Sequence, residues 1–146
     1  MDQDGFSSPV MVLLLAMMVL FLGGISVDLW RVLSDHREVA GIVDGAAIAG
    51  ATAIDADALY ADLPARLDAS LARERVCSYL AEHAGVPAGQ CPGPDVEVGI
   101  ATDTVFVRYR RDVPLTLLRA VSVFGGDADP IRVSAEAEVT LLRGVP

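Results

Sequence analysis

The chain has 146 residues, 11 arginines and lysines against 20 aspartates and glutamates, and a formal net charge of −9. That balance excludes nucleic acid as a partner, because phosphate binding needs a basic face. The length allows one membrane anchor and one small extramembrane domain, and the mean hydropathy of +0.46 is raised by an apolar N-terminal run and the Ala/Gly-rich segment behind it.

Met1 to Gly5 is a polar leader without the Lys or Arg of a secretory n-region. Residues 1–8 are read as leader and 9–27 as a membrane-spanning helix, since no charge interrupts the run between Asp4 and Asp28. At ~1.5 Å per residue such a helix is about long enough for a ~30 Å hydrocarbon core. Each central Leu, Phe or Val favours insertion by roughly 0.3 to 0.6 kcal/mol, with nothing inside the run opposing them. The lipid bilayer is therefore the first predicted partner.

The helix is expected to continue through 28–54, with a bend at Gly23-Gly24 and Trp30 at the interface. Leu29, Val32, Leu33, Val39, Ile42, Val43 and Ile48 keep helical spacing. Gly41, Gly45 and Ala49 line up at four-residue intervals, and Ala46 and Gly50 form a neighbouring track. Small residues so placed admit a close neighbour, either another helix or this chain's own domain. Each Gly costs about 1 kcal/mol relative to Ala in a free helix, so the track needs a packing reason. On the first alternative, Gly45→Leu impairs assembly and leaves the domain folded.

Residues 55–146 read as a small α+β domain. Asp55 to Leu63 is a connector or loose turn, and Pro64 is expected at the first position of a second helix running to Ala84. Leu63, Leu67, Leu71, Val76, Tyr79 and Leu80 form its predicted buried side, and Gly85 stops it. After Asp95 the period becomes two: Val96, Val98 and Ile100 form one strand, and Val105, Val107 and Tyr109 the next, with a turn at Ala101 to Thr104. Arg110-Arg111 is placed at that strand's end. Pro114 to Phe124 is a short apolar helix or crossover, closed by Gly125-Gly126-Asp127. Ile131 to Leu141 alternates as a final strand. The fold class is α+β: a long membrane-spanning helix continuing into a pilin-like domain with a second helix and a three-stranded antiparallel sheet.

Cys77 and Cys91 are the two cysteines, flanking a Gly/Pro-rich loop, and read as a disulfide of an exported domain. The positive-inside rule points the other way, with Arg31 and Arg37 after the span and no Lys or Arg before it; a cytoplasmic domain with free thiols is the competing reading.

Three stretches resemble the TadE/TadG-like pilus-assembly proteins of tight-adherence (Flp) pili. They are Asp4-Gly5-Phe6 ahead of the apolar run, Val27-Asp28-Leu29-Trp30-Arg31-Val32-Leu33 at the membrane exit, and Val43-Asp44-Gly45-Ala46-Ala47-Ile48-Ala49-Gly50-Ala51. A weaker likeness covers Val133-Ser134-Ala135-Glu136-Ala137 and Arg143-Gly144-Val145. The resemblance implies a pseudopilin-like subunit with its C-terminal domain outside the cytoplasm, and other pilins or assembly proteins as partners through helix packing. It also implies a processing junction at Gly5 and Phe6. There the fifth mature position would be Val10 where the family has Glu, so an uncleaved, TadG-like anchor is expected.

Catalytic and metal chemistry has no candidates in the sequence. His36 and His83 lack a second ligand at metal spacing, Cys77 and Cys91 lack Cys-x-x-Cys spacing, and Gly23-Gly24 and Gly125-Gly126 lack the context of a phosphate loop. The expectation is a protein without enzyme activity, cofactor, metal or small-molecule substrate. A membrane-tethered envelope module that never enters a filament is the alternative to a pilus component.

Overall fold

The computed structural model describes residues 7–60, 65–115 and 129–141. The elements run α1 (Ser7–Ala51), α2 (Ala56–Tyr60), α3 (Ala69–Ala84), a 3-10 turn (Ala88–Gln90), β1 (Val96–Ile100), β2 (Thr104–Val113) and β3 (Ile131–Thr140). This is an α+β protein with the strand order β1-β2-β3. The chain divides into two units, Met1–Ser34 with Val113–Ile131, and Asp35–Asp112 with Arg132–Pro146.

In the first unit the described part of α1 is an apolar rod. The large apolar side chains from Val10 to Leu22, Met11 and Leu20 foremost, are all at least half exposed. This segment is long and apolar enough to cross a membrane, and none of its apolar window is buried in the protein. So much exposed apolar surface is stable only against lipid or other apolar helices. The helical assignment passes Gly23 and Gly24 without interruption. Asp28 departs from its neighbours: Val27 and Leu29 are more than half exposed, whereas Asp28 is only 2% exposed.

The second unit is a layered domain whose core includes the end of α1. Val39, Val43, Ala46 and Ala47 of α1 are fully buried, as are Ala72, Val76 and Leu80 of α3 and Val105 and Val107 of β2. The buried residues of α1 recur every three or four positions, so one stripe of the helix is spent on the core. A buried Val stabilises the fold by roughly 1.5–3 kcal/mol over an exposed one, and the helix end is therefore an integral element. Thr52 ends α1: its hydroxyl donates to Ala49 O at 2.7 Å, and Ala53 N donates to Gly50 O at 3.0 Å.

The structure moves the start of α3. It begins at Ala69, with Asp68 as its cap, and Pro64 lies outside the described residues. The cap is stronger than the Pro signal: one Asp68 oxygen accepts from Ser70 N at 2.9 Å, Leu71 N at 3.1 Å and Ser70 Oγ at 2.6 Å. Leu67, expected on the helix, is buried ahead of it, bridged to Ile54. Asp55 N donates to Arg66 O and Asp68 N to Ala53 O, each at 2.9 Å, closing the base of the intervening loop. Leu71 is partly exposed and Ala72 takes the buried position. Gly85 ends α3 in the left-handed region with φ 66°, a conformation that favours Gly.

β1 and β2 pair antiparallel, Val96 opposite Tyr109 and Ile100 opposite Val105. Contacts between β2 and β3 also run in opposite directions: Arg132 with Asp112, Glu136 with Arg108, and Thr140 with Thr104. β2 extends to Val113, so Arg110 and Arg111 lie within the strand instead of ending it. The β1 ladder ends at Tyr109 opposite Val96, so the continuation to Val113 lies beside β3, where Asp112 meets Arg132. Arg111 is 3.5 Å from Glu38 of α1, and Arg110 Nη1 donates to Pro94 O at 3.4 Å. The stretch expected as a helix or crossover from Pro114 to Phe124, and its closing Gly125-Gly126-Asp127, lie outside the described residues from 116 onward.

Candidate functional site

The residues singled out in the sequence fall mainly on α1 and on the parts of α3 that pack against it. α1 has two different jobs along its length. Up to about Leu22 its whole circumference is apolar and exposed, and from Val39 onward one face is buried and the other faces solvent.

The small-residue track divides accordingly. A Cβ on Gly45 would stand 2.6 Å from Tyr79 Cζ, and one on Gly50 would stand 2.7 Å from Val76 Cγ2 and 3.1 Å from Val105 Cγ1. Both glycines thus admit α3 close to α1 within this chain, and Gly50 also admits β2. Gly41 has nothing within 4 Å of a Cβ, and Ala49 is partly exposed. The expectation that Gly45→Leu spares the domain is corrected here: its side chain would collide with Tyr79 of the same fold.

Polar contacts reinforce the α1–α3 seam. Thr52 Oγ1 accepts from Arg75 Nη1 at 2.6 Å, which ties α3 to the end of α1. Tyr79 stacks on His83 with ring centroids 4.0 Å apart and planes 10° from parallel, while His83 Nδ1 lies 3.1 Å from Tyr79 O. Tyr79 was legible as a buried-face residue; its seat over Gly45 was not. The signal for Gly50 was the second track beginning at Ala46; no local pattern marks Arg75 as reaching the end of α1.

Cys77 and Cys91 form a disulfide, with Cα atoms 5.6 Å apart. It joins the middle of α3 to the turn that leads into β1. Gly5 and Phe6 lie outside the described residues.

Charge on the domain is organised as local pairs. Hydrogen bonds from the Ser70 hydroxyl and from the Leu71 and Ser70 amides hold the Asp68 carboxyl below its ordinary range. Arg66 does the same to Asp55, helped by the Ala58 and Asp57 amides. On the sheet, Arg108 reaches both Glu136, at 2.6 Å, and Glu97, at 3.1 Å, which raises the guanidinium's already high pKa, with Glu136 the main cause. These side chains are mostly solvated, and such pairs contribute little each. Among the described residues no group of three or more His, Cys, Asp or Glu is placed to hold a metal ion.

Residues 5–53 match the family model described as "Putative Flp pilus-assembly TadE/G-like". The matched stretch begins just before α1 and ends just after it, so the N-terminal third of the chain carries a TadE/G-like pilus-assembly segment. No curated protein matches the chain, and no solved structure does. The helix that is apolar and exposed in the fold is thus the same one that carries the family signature.

Proposed function

We propose that this protein is a membrane-anchored structural component of a Tad/Flp-type pilus, acting as a minor pilin or pseudopilin-like assembly subunit. The observation that carries this reading is the coincidence of the TadE/G-like segment, residues 5–53, with α1, whose apolar half is unburied and whose far half is built into the domain core. One helix that supplies both the apolar segment and part of the domain core suits a membrane-anchored assembly subunit.

The α+β domain lies outside the cytoplasm on this reading. The Cys77–Cys91 disulfide supports that orientation, because such bonds persist in oxidising compartments and are reduced in the cytosol. It outweighs a positive-inside count resting on Arg31 and Arg37 alone. The anchor is retained uncleaved, and the partners are other pilins or pilus-assembly proteins packed along α1.

Deletion of the gene tests the role. The expected result is loss of sheared surface filaments, restored by the full-length chain and not by a chain lacking residues 9–27. Normal filament yield in the deletion strain overturns the proposal.

A further inference from the structure

β1 begins at Val96, opposite Tyr109, while β2 runs on to Val113. A cavity of about 220 Å³ lies at this step, open to solvent on one side and walled by the end of α3, the turn behind it and β2 from Tyr109 to Asp112. Tyr109 is only 8% exposed, yet among the described residues its hydroxyl has no hydrogen-bond partner. Among the same residues no fully enclosed polar side-chain atom lacks a partner, so this hydroxyl reaches open space, and the cavity that Tyr109 lines supplies it.

The charged residues of the cavity divide into two kinds. Arg111 is paired with Glu38 at 3.5 Å, and Asp112 with Arg132 at 3.0 Å. Arg110 and Asp95 line the same space and form no ion pair among the described residues. Arg110 has a 3.4 Å contact to the Pro94 carbonyl, and Asp95 acts on Arg132 only from beyond the Asp112 pair. One guanidinium, one carboxylate and one buried hydroxyl thus share a small space with their bonding capacity unspent.

We propose that this cavity binds a small zwitterion of the α-amino-acid class, with its carboxylate on Arg110 and the Tyr109 hydroxyl and its ammonium on Asp95. Size sets the upper limit, since pockets for drug-sized ligands run to about 300–1,000 Å³. Charge sets the type. A simple anion would be repelled by Asp95 and a simple cation by Arg110, whereas one molecule carrying both charges satisfies both residues. Val86 and Pro87 give its carbon atoms an apolar wall.

The test is a titration of the full-length chain in detergent micelles, read by saturation-transfer difference NMR. Alanine is the probe; propionate lacks its ammonium, ethylamine lacks its carboxylate, and glucose is a neutral polyol. Alanine is expected to bind saturably, and the other three roughly two- to five-fold more weakly or not at all. Arg110→Gln should weaken alanine by the same factor and spare ethylamine, and Asp95→Asn should weaken alanine and spare propionate. Tyr109→Phe should weaken alanine roughly two- to ten-fold and leave the thermal melt unchanged, because that hydroxyl has no partner in the fold to lose.

No saturable alanine signal, equal binding of propionate, ethylamine or glucose, or full binding in Tyr109→Phe overturns the proposal. The single-charge ligands on the unaltered chain and Tyr109→Phe decide the matter even where Arg110→Gln fails to fold. None of these results depends on whether deletion of the gene removes filaments, so this site and the pilus role stand or fall separately.

Discussion

Tyr79 occupies the space in which a side chain at position 45 would have to stand. Its Cζ lies 2.6 Å from where a Gly45 Cβ would be, and its ring also stacks on His83. Gly45→Leu is accordingly expected to destabilise the domain by about 1–3 kcal/mol, the usual cost of overpacking. Tyr79→Ala should absorb much of that cost, so that a double-mutant cycle by urea unfolding shows the two changes strongly coupled. Additive effects would place the origin of the Gly elsewhere.

Gly50 is the less forgiving position. Its neighbours are Val76, Val105 and the Ala72 carbonyl at 3.5 Å, none of them the tip of a long side chain. Even Gly50→Ala should lower stability by about 1–3 kcal/mol, despite the better helix propensity of Ala. Gly41→Ala, on open surface, should raise the stability of the isolated chain by up to about 1 kcal/mol. Thermal melts of the three variants read out this ordering directly.

The disulfide closes a loop with a sequence separation of 14 between Cys77 and Cys91. Replacing both by Ser should cost about 2–4 kcal/mol, largely through the freer unfolded chain. Amide exchange should quicken first in the turn Ala88–Gln90 and its flanks, while the α1–α3 seam, held by Val76, Leu80 and the Thr52–Arg75 bond, stays protected.

Acid should weaken the domain through Asp68 and Asp55. Both carboxyls are held below the ordinary aspartate value of about 3.8 in the fold. A lowered folded pKa means stability that is present above the unfolded value and lost as pH falls through the folded one. Asp68→Asn keeps a capping oxygen without the charge, so it should resemble the wild type near neutrality and show a flatter loss of stability below about pH 4. Parallel acid limbs for the two proteins would remove Asp68 from the account.

Much of this architecture was legible because its signals are local. The apolar run to Val27, the alternation at Val96 to Ile100 and Ile131 to Thr140, and Gly85 as a stop each dictate backbone state within a few residues. The TadE/G-like likeness was carried mainly by α1 and the residues just ahead of it, and the family match covers residues 5–53, without the weaker likeness at Val133 to Ala137 and Arg143 to Val145. What escaped depended on partners distant in sequence. Pro64 and Asp68 both look like helix starts, and only the closure of the loop by Ala53, Ile54 and Leu67 selects Asp68. The Gly track was visible as a pattern, but which glycine serves the chain's own fold depends on where Tyr79 and Val76 arrive. Arg110 and Arg111 suggested an end of strand because charge pairs with solvent; the sheet carries them on to Val113.

The most direct test of the central claim, an α1 anchor with an exported domain, is the intact mass of the protein from native membranes. Thiols are first trapped with an alkylating reagent, and the mass is read before and after reduction and a second alkylation. The account predicts a full-length chain in the membrane fraction that takes up alkyl groups only after reduction, at both Cys77 and Cys91. A chain alkylated at both cysteines before reduction, or one recovered from the soluble fraction, would contradict it.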